Sequence, residues 1–435
     1  MPQPPISTTP QTSAPQSPTT TDRGLPPGGA AQGAAPPDRA SVLAAARRAR
    51  VDALVALAVR GLPAAVVPAP GLFAQTVRAV RGDAGVTLRA EGSNLRYAAI
   101  VALGLAGLPP AEQRAAHGSL TAAELAGQVV ERAAAHRDPG AVALAAWAGA
   151  EAGGAWPTDG LGRLLERLHR LLDAGGPLPT VDTAWMLTAA LAIERHGPDP
   201  VAAAVRAAAR ERLLAAQGPQ GIFPHALPAA SQGRLRAHVG CFADQVYPIQ
   251  ALARLAAAMP DEEALAAANR CAARICALQG VAGQWWWHYD ARTGDVVEGY
   301  PVYSVHQHAM GPMALLDLRE AGGDDHLASV ERGLDWLDAH PEVLEDLVSE
   351  RHALVWRKVG RRELAKAMRK IAAATTAVAP RLRLPGLARL MPPSVVDHEC
   401  RPYELGWLVY AWRSTDRRSP DARTSEPATP RPEPR

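Results

Sequence analysis

The sequence predicts an all-α protein, an (α/α)6 toroid of helical hairpins, from three observations. Ala, Leu and Arg dominate the composition, which favours helices. Apolar residues recur at spacings of three and four over most of the chain, as they do on one face of a helix. Features also repeat every 62 residues: Gln217 is followed by Gln279, and Asp182 by Asp244 and then His306. A fixed period of this length is typical of a repeat architecture.

Strongly apolar helices alternate along the chain with amphipathic ones. The apolar set is 94–106, 139–152, 182–195, 243–258, 304–320 and 403–413. The amphipathic set is 39–60, 119–136, 158–173, 199–216, 261–278 and 324–339. Helices that are apolar all round are buried and striped helices face solvent, so the sets predict an inner and an outer ring. The alternative is an open α-solenoid, which would leave the apolar helices exposed along one side.

The predicted toroid spans 39–413, and 61–92, which Gly and Pro interrupt, has room for a strand pair. The flanking segments 1–38 and 414–435 are rich in Pro, Ser and Thr, and we expect them to be disordered. No run approaches the roughly 18 apolar residues of a membrane span, and the start lacks the pattern of a secretory signal. We therefore expect a cytoplasmic protein whose four cysteines are reduced.

Residues 356–393 interrupt the alternation of helices with a basic amphipathic insertion. Ten Lys and Arg residues stand there against the single acid Glu363, with apolar residues interleaved. One interpretation is a solvated helical face. The other is a contact of 357–390 with an anionic membrane or polyanion, which would place the protein at the inner face of the membrane. The net charge of +3 is close to balanced, so we expect no nucleic-acid partner.

Two short patterns resemble the terpenoid cyclase and protein prenyltransferase superfamily. Gln-x-x-x-Gly-x-aromatic occurs at 217–223 and 279–285, and it is similar to the repeats of squalene-type triterpene cyclases. The resemblance implies that Gln caps backbone groups, Gly makes a turn and the aromatic ring stacks on it. Residues 179–184, Pro-Thr-Val-Asp-Thr-Ala, are similar to the Asp-x-Asp-Asp-Thr-Ala acid motif, with Val181 in place of the central aspartate.

A cofactor is not expected. The zinc ligands of the prenyltransferases have only Asp397, Cys400 and a distant histidine as counterparts here, and their spacing matches no zinc motif. Phosphate-binding glycine loops, nucleophile elbows and clustered metal ligands are also missing from the sequence.

Candidate catalytic residues follow from the ring. Parallel inner helices bring their N-termini to one mouth, where orphan N–H groups favour anions. Asp182 and Asp244 fall in phase there with His306, and Tyr303 lies one helical turn from His306. Carboxylates and a His/Tyr pair are suited to general acid–base chemistry. The alternatives are that both aspartates are N-caps and that His306 is a buried histidine bonded to a carbonyl.

Substrate-binding candidates are the other polar and aromatic residues near that mouth. They are Asn94, Arg96, His238, Trp286, Trp287, Tyr289, Tyr300, His308, Tyr403 and Glu404, with His225 as a weaker candidate. The rings would form a wall suited to a sugar or to an isoprenoid chain, while Trp285 is expected to be structural. The alternative for each ring is packing of a loop against the toroid.

The leading functional hypothesis is an enzyme of the terpenoid cyclase and prenyltransferase type, acting on an isoprenoid or lipid-linked substrate near a membrane. The alternative is a carbohydrate-active enzyme, a glycoside hydrolase or polysaccharide lyase. A third possibility is a non-catalytic toroid that binds a glycan or a lipid-linked partner. A dry aromatic inner wall would favour the first, and a groove with several carboxylates would favour the second.

Overall fold

A computed structural model describes residues 39–413 except 68–71, 84, 154–158, 364–365, 383 and 385. The disorder expected for 1–38 and 414–435 concerns segments outside the described residues. All described residues belong to one compact unit. Within it, no helix combines the length and the apolar character needed to span a bilayer.

The α-helices follow one another along the whole described chain. They are α1 (Ala45–Gly61), α2 (Leu95–Leu105), α3 (Pro110–His117), α4 (Ala122–Ala133), α5 (Pro139–Ala152), α6 (Asp159–Asp173), α7 (Thr180–Glu194), α8 (Pro200–Ala216), α9 (Ala243–Ala258), α10 (Glu262–Ala277), α11 (Gly311–Glu320), α12 (Leu327–Trp336), α13 (Ala367–Val378), α14 (Leu387–Leu390) and α15 (Pro402–Arg413). Short 3-10 helices occupy Arg39–Val42, Leu62–Ala65 and Ala229–Gln232.

Strands are short, except for one hairpin. They are β1 (Thr76–Gly82), β2 (Gly85–Glu91), β3 (Leu178–Pro179), β4 (Ala226–Leu227), β5 (Val239–Cys241), β6 (His288–Asp290), β7 (Val296–Glu298), β8 (Val302–Tyr303), β9 (Val348–Ser349), β10 (Leu354–Val355), β11 (Lys358–Gly360), β12 (Val395–Asp397) and β13 (Glu399–Cys400). The β1–β2 hairpin confirms the strand pair expected in 61–92, and β13 adds to its edge. The strands of two or three residues were not predicted, because they are too short to carry a period.

The helices form the predicted (α/α)6 toroid. The inner ring consists of α2, α5, α7, α9, α11 and α15, each packed on the next, and α15 closes on α2. The outer ring consists of α1, α4, α6, α8, α10 and α12. Helix α1 packs on α15, and Arg47 pairs with Asp335 of α12 at 2.8 Å. This closure rules out the open solenoid.

The 62-residue period has a structural basis in the ends of two outer helices. Gln217 and Gln279 each donate through Nε2 to the carbonyl of the glycine four residues later, at 3.0 and 2.9 Å. Each also donates to a carbonyl of the next outer helix, at 2.8 and 3.0 Å. At Gly283, φ is +99°, and a Cβ would lie 1.9 Å from the Arg332 carbonyl oxygen, so only glycine fits. The pattern therefore fastens neighbouring outer helices, and Trp285 beside it is fully buried.

Two regions differ from the simple ring. The helix expected over 304–320 begins as a π-helix, His306–Met310, before it continues as α11. Such π-turns are rare and often occur at functional sites. The insertion 356–393 folds as β11, α13 and α14, and β11 pairs with β8 and with β12.

Candidate functional site

Carboxylates from four inner helices lie at the N-terminal mouth of the ring. Asp138 caps α5, and Asp182, Asp244 and Glu404 lie in the first turns of α7, α9 and α15. The last three are at most 1% exposed. The caps of α7 and α9 are Pro179 and Phe242, which are not the predicted aspartates. The capping alternative for Asp182 and Asp244 is therefore wrong.

Arg96 of α2 joins the first two of these carboxylates. Its guanidinium donates to Asp182 Oδ1 at 2.9 Å and is also paired with Asp138. Burial raises the pKa of Asp182, and the nearby Arg96 opposes that effect. The guanidinium also lies 5.2 Å from the centre of the Trp185 ring. The candidate residues Arg96 and Asp182 thus form one unit, which Asp138 completes.

Asp244 gathers a second cluster, on α9. Its Oδ2 accepts from His225 Nδ1 at 3.0 Å and from the Cys241 backbone N–H at 2.6 Å. The hydrogen bond to Asp244 raises the pKa of His225. The side chain of Asp244 is fully buried, whereas that of His225 is 44% exposed. One ligand atom from each of His225, Cys241 and Asp244 lies within 4.8 Å of the others, a donor set that metal ions use.

Glu404 is the carboxyl with the clearest electrostatic signature. It is fully buried, and its Oε1 accepts from Arg357 Nε at 3.2 Å. Its Oε2 has no hydrogen-bond partner among the described residues. Burial raises its pKa to about 7, although Arg357 favours the charged form. A carboxyl of this kind holds a proton near neutral pH and is able to donate it.

Aromatic rings line the mouth beside these groups. Trp287 lies 4.7 Å from Tyr303 and is stacked on His306 at 6.0 Å, between ring centres. Tyr97 of α2 and Tyr403 of α15 form a second pair, with ring centres 4.8 Å apart. Trp287, Tyr97 and Tyr403 are each partly exposed.

His306 and Tyr303 are in contact as predicted, with ring centres 5.0 Å apart. His306 is only 3% exposed, and its Nδ1 has no partner among the described residues. Burial holds its pKa well below the ordinary value, and Arg357 adds to that effect. Burial also raises the pKa of Tyr303. Both side chains are therefore neutral near pH 7, and they form the wall behind Trp287.

The insertion contributes positive charge to the same mouth. The Arg369 guanidinium lies 5.0 Å from the centre of the Trp287 ring, and that of Arg357 lies 4.9 Å from Tyr303. The Nε atoms of Arg369 and Arg401 are buried without a partner among the described residues. Arg369 is the main cause of the lowered pKa of Lys366, followed by burial. These cations give this side of the mouth positive charge.

Several predicted binding residues have other positions. Asn94 caps α2 by accepting from the Tyr97 N–H at 3.2 Å. Tyr289 is fully buried, and so is His308, whose pKa burial lowers to about 3. The remaining polar groups are held by protein atoms: Trp286 Nε1 by the Leu278 carbonyl at 2.6 Å, Tyr300 Oη by Glu342 at 2.9 Å and His238 Nε2 by Thr376 Oγ1 at 2.9 Å.

The basic residues of the insertion do not all lie on a solvated helical face, the first of the two interpretations. Arg357 and Arg361 are turned inward, where they pair with Glu399 at 2.7 Å and with Glu298 at 2.6 Å. Exposed apolar side chains remain, among them Val378 at 82% and Leu390 at 80% exposure. The structure does not test a membrane contact of this surface, which stays a prediction.

A cavity of about 790 Å³ lies at the opposite end of the ring. Its walls come from the C-terminal parts of α5, α7, α9 and α11 and include Glu151, Arg254 and Asp317. Its size alone would make it a candidate site. However, its most buried charges bind one another: Arg254 donates to Asp317 at 2.8 Å and to the Tyr410 hydroxyl at 2.7 Å. We therefore place the candidate site at the N-terminal mouth.

Sequence comparison identifies no relatives: no protein-family profile matches the chain, and neither does any curated protein. Solved structures do match. A D-mannose isomerase aligns with 83% of this chain and 97% of its own, at 11% identity and a TM-score of 0.54. A possible GH105 member from Salmonella enterica aligns with 83% and 92%, at 11% identity and 0.51. A glycosyl hydrolase family 88 protein from Bacteroides vulgatus aligns with 83% and 98%, at 9% identity and 0.50.

These matches confirm the (α/α)6 toroid and correct the expected resemblance. The structures that match belong to carbohydrate-active enzymes, so the terpenoid cyclase and prenyltransferase interpretation is wrong. The Gln/Gly/aromatic pattern led to the wrong family because its role is structural. It joins neighbouring outer helices, and a toroid needs such contacts whatever ligand it binds. Fold and function are separable in this way. At these identities the likeness shows that the chain has the (α/α)6 toroid fold.

Proposed function

We propose that this protein is a carbohydrate-active enzyme that binds an anionic sugar at the N-terminal mouth and cleaves a glycosidic linkage there, as a glycoside hydrolase or a polysaccharide lyase. The observation that carries the proposal is the meeting of four inner-helix carboxylates, Asp138, Asp182, Asp244 and Glu404, at one aromatic and arginine-lined mouth. Paired carboxylates are what glycosidic cleavage requires.

The binding part of the proposal rests on two kinds of side chain. The aromatic side chains of Trp287, Tyr97 and Tyr403, each partly exposed, are suited to contact with the apolar face of a sugar ring. The Nε atoms of Arg369 and Arg401, which have no partner in the part of the chain that the structure describes, are suited to the carboxylate or sulfate of an acidic sugar. Together they favour an acidic over a neutral glycan.

The chemical part assigns the proton donor. Glu404, with a pKa raised to about 7 by burial, delivers its proton to the leaving glycosidic oxygen as that bond breaks. In hydrolysis, Asp182 accepts a proton from the water that adds to the anomeric carbon. In elimination, Asp182 instead accepts the proton from the ring carbon that bears the uronate carboxylate. The bond from the neighbouring carbon to the glycosidic oxygen then breaks, Glu404 protonates that oxygen, a carbon–carbon double bond forms and no water is consumed. The similar structures, a D-mannose isomerase, a possible GH105 member and a glycosyl hydrolase family 88 protein, support sugar chemistry by analogy.

The test is a turnover assay of the full chain against acidic and neutral oligosaccharides, with products analysed by mass spectrometry. We expect cleavage of an acidic substrate. A mass gain of one water identifies hydrolysis, and an unsaturated product without added water identifies elimination. Glu404→Gln should lower kcat by about 100-fold or more, the range for loss of a general acid.

The matched control is Glu151→Gln, which alters a buried carboxylate of an inner helix at the opposite end of the ring. It should leave kcat within a few-fold of the wild type. Equal activity of Glu404→Gln and the wild type would refute the role of Glu404. Saturable binding of an acidic glycan with no product would instead support a non-catalytic glycan-binding toroid. The absence of both binding and turnover would refute the proposal.

A further inference from the structure

We propose that His225, Cys241 and Asp244 form a binding site for a transition-metal dication of the Zn²⁺ type, with a free coordination position toward the mouth. Their ligand atoms already lie within 4.8 Å of one another. This proposal does not depend on the identity of the sugar, and it departs from the expectation of no metal. The proposed site also differs from the zinc candidates considered in the sequence, Asp397 and Cys400, because Asp397 pairs with Lys358.

The donor set fits the chemistry of such an ion. Thiolate, imidazole and carboxylate are the ligands of zinc, and three protein ligands with a fourth open position are usual in its exchangeable sites. Bond lengths of about 2.0–2.3 Å put neighbouring ligand atoms of a tetrahedron roughly 3–4 Å apart. The 3.0 Å between His225 Nδ1 and Asp244 Oδ2 is at the short end of that range. Small rotations of side chains therefore complete the site.

The backbone fixes each ligand independently of a metal. Cys241 ends β5, whose residues pair with β6, and Asp244 lies three residues later in the first turn of α9. His225 is held on both sides, because its N–H donates to the Val239 carbonyl at 3.1 Å and its carbonyl accepts from the Thr180 N–H at 3.0 Å. Preorganised ligands lower the entropic cost of binding.

The charges around this point are mixed: two carboxylates favour a cation here, and Arg236 acts against it on His225. Asp182 and Asp138 share one guanidinium, that of Arg96, which leaves one net negative charge beside the cluster. Asp182 acts electrostatically on both His225 and Asp244. On binding, the Cys241 thiol loses its proton to solvent. The Nδ1 proton that His225 shares with Asp244 also leaves, to solvent if the ring is cationic or to Nε2 if it is neutral, so that Nδ1 presents its lone pair to the ion. No electron transfer is involved.

The competing role is a proton-transfer pair of His225 and Asp244, which uses the same Nδ1 atom and excludes the metal. Cobalt distinguishes the two roles, because a tetrahedral Co²⁺ thiolate gives a near-ultraviolet charge-transfer band. Untagged full chain, first stripped with a chelator, is titrated with Co²⁺ and then with Zn²⁺. We expect a band that saturates at one Co²⁺ per chain and disappears when Zn²⁺ displaces it, since zinc binds more tightly in the usual order.

Variants locate the ion. Cys241→Ser should abolish the charge-transfer band. His225→Ala and Asp244→Asn should each weaken Co²⁺ binding by more than about 10-fold, because loss of a residue that only hydrogen-bonds to a metal ligand already costs about that much. The control is Cys276→Ser, which alters the other partly exposed cysteine, on α10. It should keep the band. Circular dichroism must show that each variant is folded. If Cys241→Ser does not fold, His225→Ala takes its place as the variant that tests whether the ion binds at this cluster.

Three outcomes would overturn the proposal: no band in the wild type, a band that persists in Cys241→Ser, or a band lost only in Cys276→Ser. The readout uses no sugar. A metal site without glycan turnover would therefore refute the proposed function alone, and glycan turnover without a Co²⁺ band would refute the metal site alone.

Discussion

The two ends of the toroid treat buried charge in opposite ways. At the C-terminal end of the inner helices, Asp317 accepts from Gln250 at 2.9 Å and from Arg254 at 2.8 Å, and it is also paired with Arg39. At the N-terminal mouth, buried polar atoms lack partners among the described residues, including Glu404 Oε2 and Arg369 Nε. Unsatisfied buried groups cost free energy, so the unpartnered carboxyl and guanidinium atoms favour a binding role for the mouth.

The comparison also shows why cavity size is a poor guide here. The cavity of about 790 Å³ lies at the end where the charges neutralise one another. The mouth has the carboxyl and imidazole groups whose pKa values are raised, namely Glu404, Asp182 and His225. Perturbed titratable groups that lie in a cleft are characteristic of functional sites. We therefore interpret the paired charges at the C-terminal end as stabilising the fold, and the mouth as the candidate site.

The largest expected effect concerns the C-terminal end. Asp317→Asn removes the charge that compensates Arg39 and Arg254, which are at most 10% exposed. We expect the free energy of unfolding to fall by about 3–5 kcal/mol, as when one partner of a buried pair is removed. Urea denaturation measures it. Asp338→Asn, which breaks the more exposed pair with Arg50, should cost less than about 1 kcal/mol. Equal losses of unfolding free energy in the two variants would contradict the distinction between buried and exposed ion pairs.

A smaller, pH-dependent effect is expected at the mouth. Folding raises the pKa of Glu404 from 4.5 to about 7, so the folded state binds the proton more tightly than the unfolded state. The associated stability is present below pH 4.5 and is lost as the pH rises toward 7. Glu404→Gln should remove this loss, at most about 3 kcal/mol. Denaturation of both proteins at pH 5 and pH 8 checks it. A wild type that gains stability relative to the variant at pH 8 would reverse the sign and refute the assignment.

The smallest effect on stability should come from the insertion. Arg369→Ala removes a cation over Trp287, a contact worth about 0.5–1 kcal/mol at exposed sites. Its effect on an acidic glycan should be larger, an affinity loss of roughly tenfold or more. Calorimetric titration at two salt concentrations measures it. The neighbouring Lys370→Ala, also on α13 but exposed, is the control. Equal weakening by both variants would indicate general charge attraction.

Helix positions were predictable from sequence because burial imposes a period. The stretches 139–152 and 243–258 match α5 and α9 to the residue, since each is apolar on all faces and is bounded by polar or turn residues. The 62-residue period was equally reliable as a structural signal, because Gln217 and Gln279 make the same two hydrogen bonds. Its functional interpretation failed, since a helix-end contact carries no information about the ligand.

The mouth was predictable only in part. Asp182, Asp244 and Glu404 were found because their phase on the inner helices is a sequence property. Cys241 was not singled out, and His225 was only a weak candidate, because a short strand and a loop bring them to Asp244. The inward direction of Arg357 and Arg369 was also hidden, since a basic amphipathic pattern does not say which cations meet the core.

The sequence by itself therefore determined the alternating rings, because the burial period of a helix is written in neighbouring residues. Only the tertiary structure decided which polar groups share the mouth. Arg96 meets Asp182 across 86 positions, and His238 meets Thr376 across 138. Contacts at such separations depend on how the rings close and how the insertion folds back, and both follow from packing of the whole chain.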